Sequence, residues 1–177
     1  MTISLAIDTS TSRTIVGLVD GSNVLFESFS EGATDHGRAV SDLVAQALAN
    51  NPAPDQVVVG MGPGPFTGLR VGIAFARTFA LSRGIPVIGI CSLDAILIDK
   101  DEYTVAIDAR RKEIYWAKYS GGQRIEGPSV NKPDEVSDFI LDQYPSVAEL
   151  IRQSTLQNAS EPFYLRRPDA VPTAERA

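Results

Sequence analysis

The run ISLAIDTS, residues 3–10, ends a β-rich stretch on an aspartate, and its triplet Ala6, Ile7, Asp8 returns as Ala106, Ile107, Asp108 in the second half of the chain. Gly21 falls opposite Gly121 in the same way, with the strand-like runs TIVGLV (14–19) and IYWAKY (114–119) between the markers. Each half therefore reads strand, aspartate, polar turn, strand, glycine turn, strand, which predicts a structural duplication. In the first half, NVLFESFS (23–30) is the third strand of a meander. From His36 to Ala49, the residues Val40, Leu43, Val44, Ala47 and Leu48 recur at helical spacing, and NNPAP (50–54) ends that helix. QVVVG (56–60) reads as a strand buried on both faces. A helix from about Phe66 to Arg83, closed by Gly84, and the strand IPVIGI (85–90) complete the order βββαβαβ. In the second half QRIEGPSV (123–130) is the third strand, followed by a helix predicted from Pro133 to about Asp142. A short helix from Val147 to about Ser154 and an extended tail PFYLRRP (162–168) follow, with no second apolar strand like 57–60. The expected division is a first lobe at 1–99 and a shortened second lobe at 100–177.

Of the 177 residues 44% are hydrophobic, enough to bury a core. Sixteen Lys and Arg stand against 22 Asp and Glu, and the net charge of −6 argues against a protein that grips nucleic acid unaided. Cys91 is the only cysteine and His36 the only histidine, so the sequence offers no internal disulfide and no zinc or cysteine–histidine constellation. Asp35 reads as an N-cap before His36, and Cys91 as a small core residue. The start MTISLAIDTS lacks the regions of a signal peptide, and the longest apolar run, Val71 to Leu81, is broken by Arg77. The expectation is a cytoplasmic chain with no membrane segment.

GMGPGPFTGLRVG (60–72) runs from a strand into a helix start, a place suited to an anion. It lacks the Lys-Ser/Thr pair of a phosphate loop, and Pro63 and Pro65 remove two amides, which favours a rigid turn with close packing. Beyond it Gly68, Gly72, Ala76 and Ala80 form a stripe of small side chains, for burial within the chain or against another subunit. Asp8, Thr9 and Ser10, with Gly62 and Gly64, could order a phosphate and Mg²⁺, or Asp8 could simply close a turn on its own backbone. Asp108 is followed by Ala109, Arg110, Arg111 and Lys112, a basic turn that is either a solvated face or a contact for phosphates held by a partner; Arg166 and Arg167 form a second basic pair.

LAIDTST (5–11), GPGPFTGLRVGIAFARTFAL (62–81), PVIGICSL (86–93), AIDARRKEIYWAKY (106–119) and EPFYLRR (161–167) together resemble the bacterial TsaB proteins, also called YeaZ. The resemblance implies an actin, hexokinase and Hsp70-like α/β fold of duplicated lobes, the second reduced. It implies a non-catalytic partner of the TsaD-type transferase that threonylcarbamoylates adenosine 37 of tRNAs decoding ANN codons, with TsaE as third partner. Metal, cofactor and glycoprotease activity are not expected of the chain alone; ATP or ADP has a place only at the junction with partners, and tRNA is met only through the complex. Pairing with a second copy or with TsaD is expected through the first-lobe helices, with His36, Val40, Leu43, Ala47, Gly68, Leu69, Gly72, Ala76 and Ala80 at the interface. Two rivals remain from the residues themselves: a small ATP-dependent kinase built on Asp8, and a homodimeric regulatory module unrelated to tRNA.

Overall fold

The computed structural model describes residues 2–32 and 34–166; Arg167 and Pro168 of the tail lie outside the described residues. The first sheet contains β1 (Ile3–Asp8), β2 (Arg13–Asp20), β3 (Asn23–Glu31), β4 (Gln56–Gly60) and β5 (Val87–Ile90), in the order β3-β2-β1-β4-β5. Helix α1 (His36–Leu48) joins β3 to β4, and α2 (Phe66–Arg83) joins β4 to β5. The second sheet contains β6 (Glu102–Asp108), β7 (Ile114–Ser120), β8 (Gln123–Asn131) and β9 (Phe139–Ile140), in the order β8-β7-β6-β9. Its four strands repeat the arrangement of the first four, a meander whose first strand gains a parallel neighbour. The fold is a duplicated α/β arrangement with a reduced second lobe. The two copies are not in strict register: Asp8 pairs with Ile15, whereas Asp108 pairs with Ile114, so the second hairpin is one residue shorter.

The helix predicted from Pro133 to about Asp142 does not form. A single 3-10 turn, Pro133–Glu135, is followed by β9, which lies parallel to β6 where β4 lies beside β1. Glu135 accepts from the Lys132 amide at 3.0 Å, which satisfies the start of a helix, but Asp138 adopts φ +52° and stops its propagation. Phe139 and Ile140 then gain more by pairing with Thr104 and Val105 than a solvated helix would give.

The strand pattern sets two cores on the first sheet. Leu5, Ile7, Val16, Leu18, Val57 and Val59 face α1 and α2. Ala6, Ile15, Val19 and Val58 face the opposite way and meet Val147 and Leu150 of α3 (Val147–Ser154). QVVVG is thus buried on both sides, as its composition predicts. Helix α3 follows the second sheet in sequence yet closes the back of the first, and the chain after it runs along β5, where the Ala159 amide donates to the Gly89 carbonyl at 2.7 Å.

Besides its apolar packing, α2 is tied to the turn after β1 by a polar clasp. The Thr9 hydroxyl donates to the Gly68 carbonyl at 2.8 Å and accepts from the Gly72 amide at 3.1 Å, so a buried side chain clasps two turns of the helix. A Cβ on Gly72 would run into Thr9 Oγ1, and one on Gly68 would stand 2.9 Å from the His36 ring. The cost of about 1 kcal/mol for each glycine inside a helix is offset by this approach. Gly72→Ala is therefore expected to lower stability by about 1–3 kcal/mol in urea denaturation through overpacking; a neutral effect would contradict the clasp.

Candidate functional site

The site singled out by sequence is the turn after β1 with the glycine loop above it. Asp8 ends β1 because the hairpin must reverse there, and its carboxylate folds back on the turn: Oδ1 accepts from the Ser10 amide at 2.9 Å and the Ser10 hydroxyl at 2.7 Å. Oδ2 accepts from the Ser92 hydroxyl at 2.6 Å, and that hydroxyl in turn accepts from the Gly62 amide at 3.1 Å. Asp8 and Ser10 are 0% exposed and Thr9 1%. Burial raises the Asp8 pKa, opposed by the hydrogen bonds from Ser92 and Ser10.

The loop seals this turn instead of opening it. Met61, Gly62, Pro63 and Gly64 are buried, Gly64 rests on the backbone of Ser10, and a Cβ on Gly60 would collide with the Asp8 carboxylate. The polar groups that could have gripped phosphate are thus turned on one another. The loop packs closely on the turn, with Gly60 against Asp8 and Gly64 against Ser10.

The nine residues expected at a subunit interface are all interior. His36, Val40, Leu43, Ala47, Leu69, Ala76 and Ala80 are buried, as are Gly68 and Gly72, and they pack against the sheet or between α1 and α2. The small stripe of α2 is used inside the chain, because Thr9 and His36 need the space. His36 caps no helix with its ring; Nδ1 shares a 2.7 Å hydrogen bond with the Thr14 hydroxyl, while Asp35, at the N-cap position, makes no side-chain capping bond. What the two helices leave outward is different: Gly37, Ser41 and Ala45 on α1, and Ala74 and Thr78 with half-buried Val71 and Phe75 on α2, set among the exposed charges Arg38, Asp42, Arg70 and Arg77. Sequence reasoning missed this second small stripe because Gly37 is the only glycine in it; the i, i+4 spacing was the available signal.

The second copy of the turn has the opposite character. Asp108 is exposed, accepts from the Arg110 amide at 2.8 Å and lies 3.7 Å from the Arg110 guanidinium. Arg110, Arg111 and Lys112 all take positive φ, and Arg166 holds the turn from below through the Arg110 carbonyl and Glu113. Between the two turns lies a cleft of about 260 Å³ bordered by Thr11, Ser12 and Pro65 on one side and Asp108, Arg110 and Tyr144 on the other. Asp8, Thr9 and Ser10 do not line it. Among the described residues no three His, Cys, Asp or Glu side chains are grouped to hold a metal ion, and no helix is long and apolar enough to cross a membrane.

Burial also lowers the His36 pKa, with the nearby Asp8 charge opposing. Above pH 6.5, the ordinary histidine value, the ring is neutral in folded and unfolded chains alike. As pH falls through that value the unfolded chain takes up a proton that the folded one refuses, so stability is lost, by at most about 1.4 kcal/mol per pH unit for one proton. Urea midpoints measured between pH 7.5 and about 5 are expected to fall, with a smaller slope in His36→Gln; equal slopes would contradict a neutral buried ring.

Residues 30–170 match the family model described as TsaD, tRNA N6-adenosine threonylcarbamoyltransferase. An uncharacterized protein of Mycobacterium tuberculosis is 39% identical over 96% of this chain and 94% of its own length; one of Mycobacterium leprae is 40% identical over 97% of this chain. The tRNA threonylcarbamoyladenosine biosynthesis protein TsaB of Escherichia coli is 34% identical over 76% of this chain. The chain spans 57% of the length of the Mycobacterium leprae relative and 64% of the Escherichia coli protein. Among solved structures, YeaZ from Pseudomonas aeruginosa superposes with a TM-score of 0.76 at 22% identity, covering 88% of this chain and 92% of that one. With the sealed Asp8 turn and the duplicated sheets in place, these matches make the chain a member of the TsaB (YeaZ) family, within the reach of the TsaD family model.

Proposed function

We propose that the chain serves tRNA threonylcarbamoyladenosine biosynthesis as a non-catalytic partner of a TsaD-type transferase, modifying adenosine 37 of tRNAs decoding ANN codons only through that complex. The observation that carries this reading is the contrast between the two ends of the first lobe. The Asp8 turn, where a kinase of this fold class would grip phosphate, has its carboxylate fully buried and hydrogen-bonded to Ser10 and Ser92. The outward faces of α1 and α2, by contrast, carry small and apolar side chains around Ser41, Ala45, Val71, Ala74 and Phe75, flanked by Arg38, Asp42, Arg70 and Arg77. A small-residue helix face lets another helix approach closely, and half-buried Val71 and Phe75 give it apolar area to cover.

The same face would pair two copies of the chain in isolation and yield to TsaD when that subunit is present. A TsaE homologue completes the complex, and ATP or ADP sits at the junction of subunits and not in this chain alone. The kinase alternative loses its phosphate grip at Asp8, whose carboxylate is taken by Ser10 and Ser92.

Reconstitution tests the reading. With the same organism's TsaD, TsaE, threonylcarbamoyl-adenylate synthase and tRNA, modified adenosine is expected only when this chain is added. Ala74→Arg or Ser41→Arg should leave the circular dichroism spectrum unchanged and weaken the complex by about tenfold or more, because a charge would be buried unpaired. Modification that proceeds equally without the chain would overturn the function; tight binding by both variants would overturn the face.

A further inference from the structure

The chain crosses between its two sheets three times: at residues 91–101, again between β9 and α3, and finally when the segment after α3 leaves β5 for the second core, where Phe163 and Leu165 pack. The first of these crossings carries a carboxylate bonded to both lobes. Asp94 lies in a 3-10 turn, Ser92–Ala95, on the first crossing and is 9% exposed. Its Oδ1 accepts from the Tyr119 hydroxyl at 2.8 Å and from Arg124 Nε at 2.9 Å, both on the second sheet. Its Oδ2 accepts from Arg124 Nη2 at 3.3 Å and from Gln157 Nε2, just after α3, at 2.8 Å. Its backbone carbonyl accepts from Gln153 Nε2 of α3 at 3.1 Å, and α3 itself is seated on the first sheet. Gln153 and Gln157 are bonded to each other at 2.9 Å, and Gln153 also donates to Glu149 at 3.1 Å.

We infer that Asp94 is a lock that fixes the angle between the two lobes, so that the cleft between the Asp8 and Asp108 turns neither opens nor closes. A carboxylate with four directed donors from three different segments favours one geometry, since a rotation of the second sheet would leave the buried Asp94 carboxylate and the Tyr119 hydroxyl without their partners. A hinge between lobes usually consists of a few loop residues free to absorb backbone change. Here the connecting residues Cys91 to Ile96 are all buried and their polar groups are bonded to both sides.

Cys91 makes the test practical. Its thiol is buried and pushed up to about 12, so it resists labelling, and introduced cysteines can carry the probes. Spin labels at Ser22→Cys, on the exposed β2–β3 turn, and Asp134→Cys, exposed on the second lobe, report the angle by pulsed dipolar spectroscopy in protein diluted with unlabelled chain. The native protein is expected to give one narrow distance distribution, and Asp94→Ala, Arg124→Met and Gln157→Ala to broaden and shift it while far-ultraviolet circular dichroism stays native. Should Asp94→Ala fail to fold, the other two, at less buried positions, decide. A broad or split distribution in the native protein, or a native distribution in the folded variants, overturns the lock.

Discussion

A carboxylate with no exposure to solvent governs this structure. Asp8 closes β1, and satisfying its oxygens requires Ser10 in the turn, Ser92 from the crossing to the second lobe, and a glycine at position 60 so that β4 can come close enough. Ser92 passes the constraint on to Gly62, and Thr9, one residue away, passes it to α2. The glycine loop, the angle of α2 and the place of the interlobe crossing are thus parts of one hydrogen-bonded unit. Its members are costly to bury singly and inexpensive together, which is why they occur as a set.

Duplication has produced two turns with opposite fates. The first is closed and internal; the second, at Asp108, stays exposed and carries three basic residues in left-handed backbone conformation. The second lobe also lost most of what the first uses to cover its sheet: a 3-10 turn stands in place of α1, and a strand of two residues in place of β4. The chain compensates by sharing. Cys91, Leu93 and Ile96 from the crossing and Phe163 and Leu165 from the tail complete the second core, while α3 completes the first.

Much of this was legible in the residues. The period-two and apolar runs placed β1 to β8, and the helix read from about Phe66 to Arg83 is α2, closed by Gly84 in a left-handed conformation. The duplication followed from the repeated order of strand, aspartate, turn, strand and glycine turn in both halves, and the fold class from the family resemblance. Two readings went astray for a common reason, that a pattern of small or β-branched residues says how close something comes but not what comes. Gly68, Gly72, Ala76 and Ala80 were assigned to another subunit when Thr9 and His36 occupy the space, and the segment after Pro133 read as helix when the free edge of β6 captured Phe139 and Ile140. The role of Asp94 was beyond reach, since its partners Tyr119, Arg124, Gln153 and Gln157 lie far along the chain and share no spacing with it.

The most direct test of the sealed turn is a titration of the ¹⁵N-labelled chain with Mg-ATP, following the backbone amides of Ser10, Gly62 and Gly64. No saturating shift at these amides is the expected result, since their hydrogen-bonding space is taken by Asp8, Ser92 and the loop's own packing. Saturating shifts centred on Ser10 and Gly62 would mean that the turn opens to take phosphate, and would contradict a structural role for Asp8.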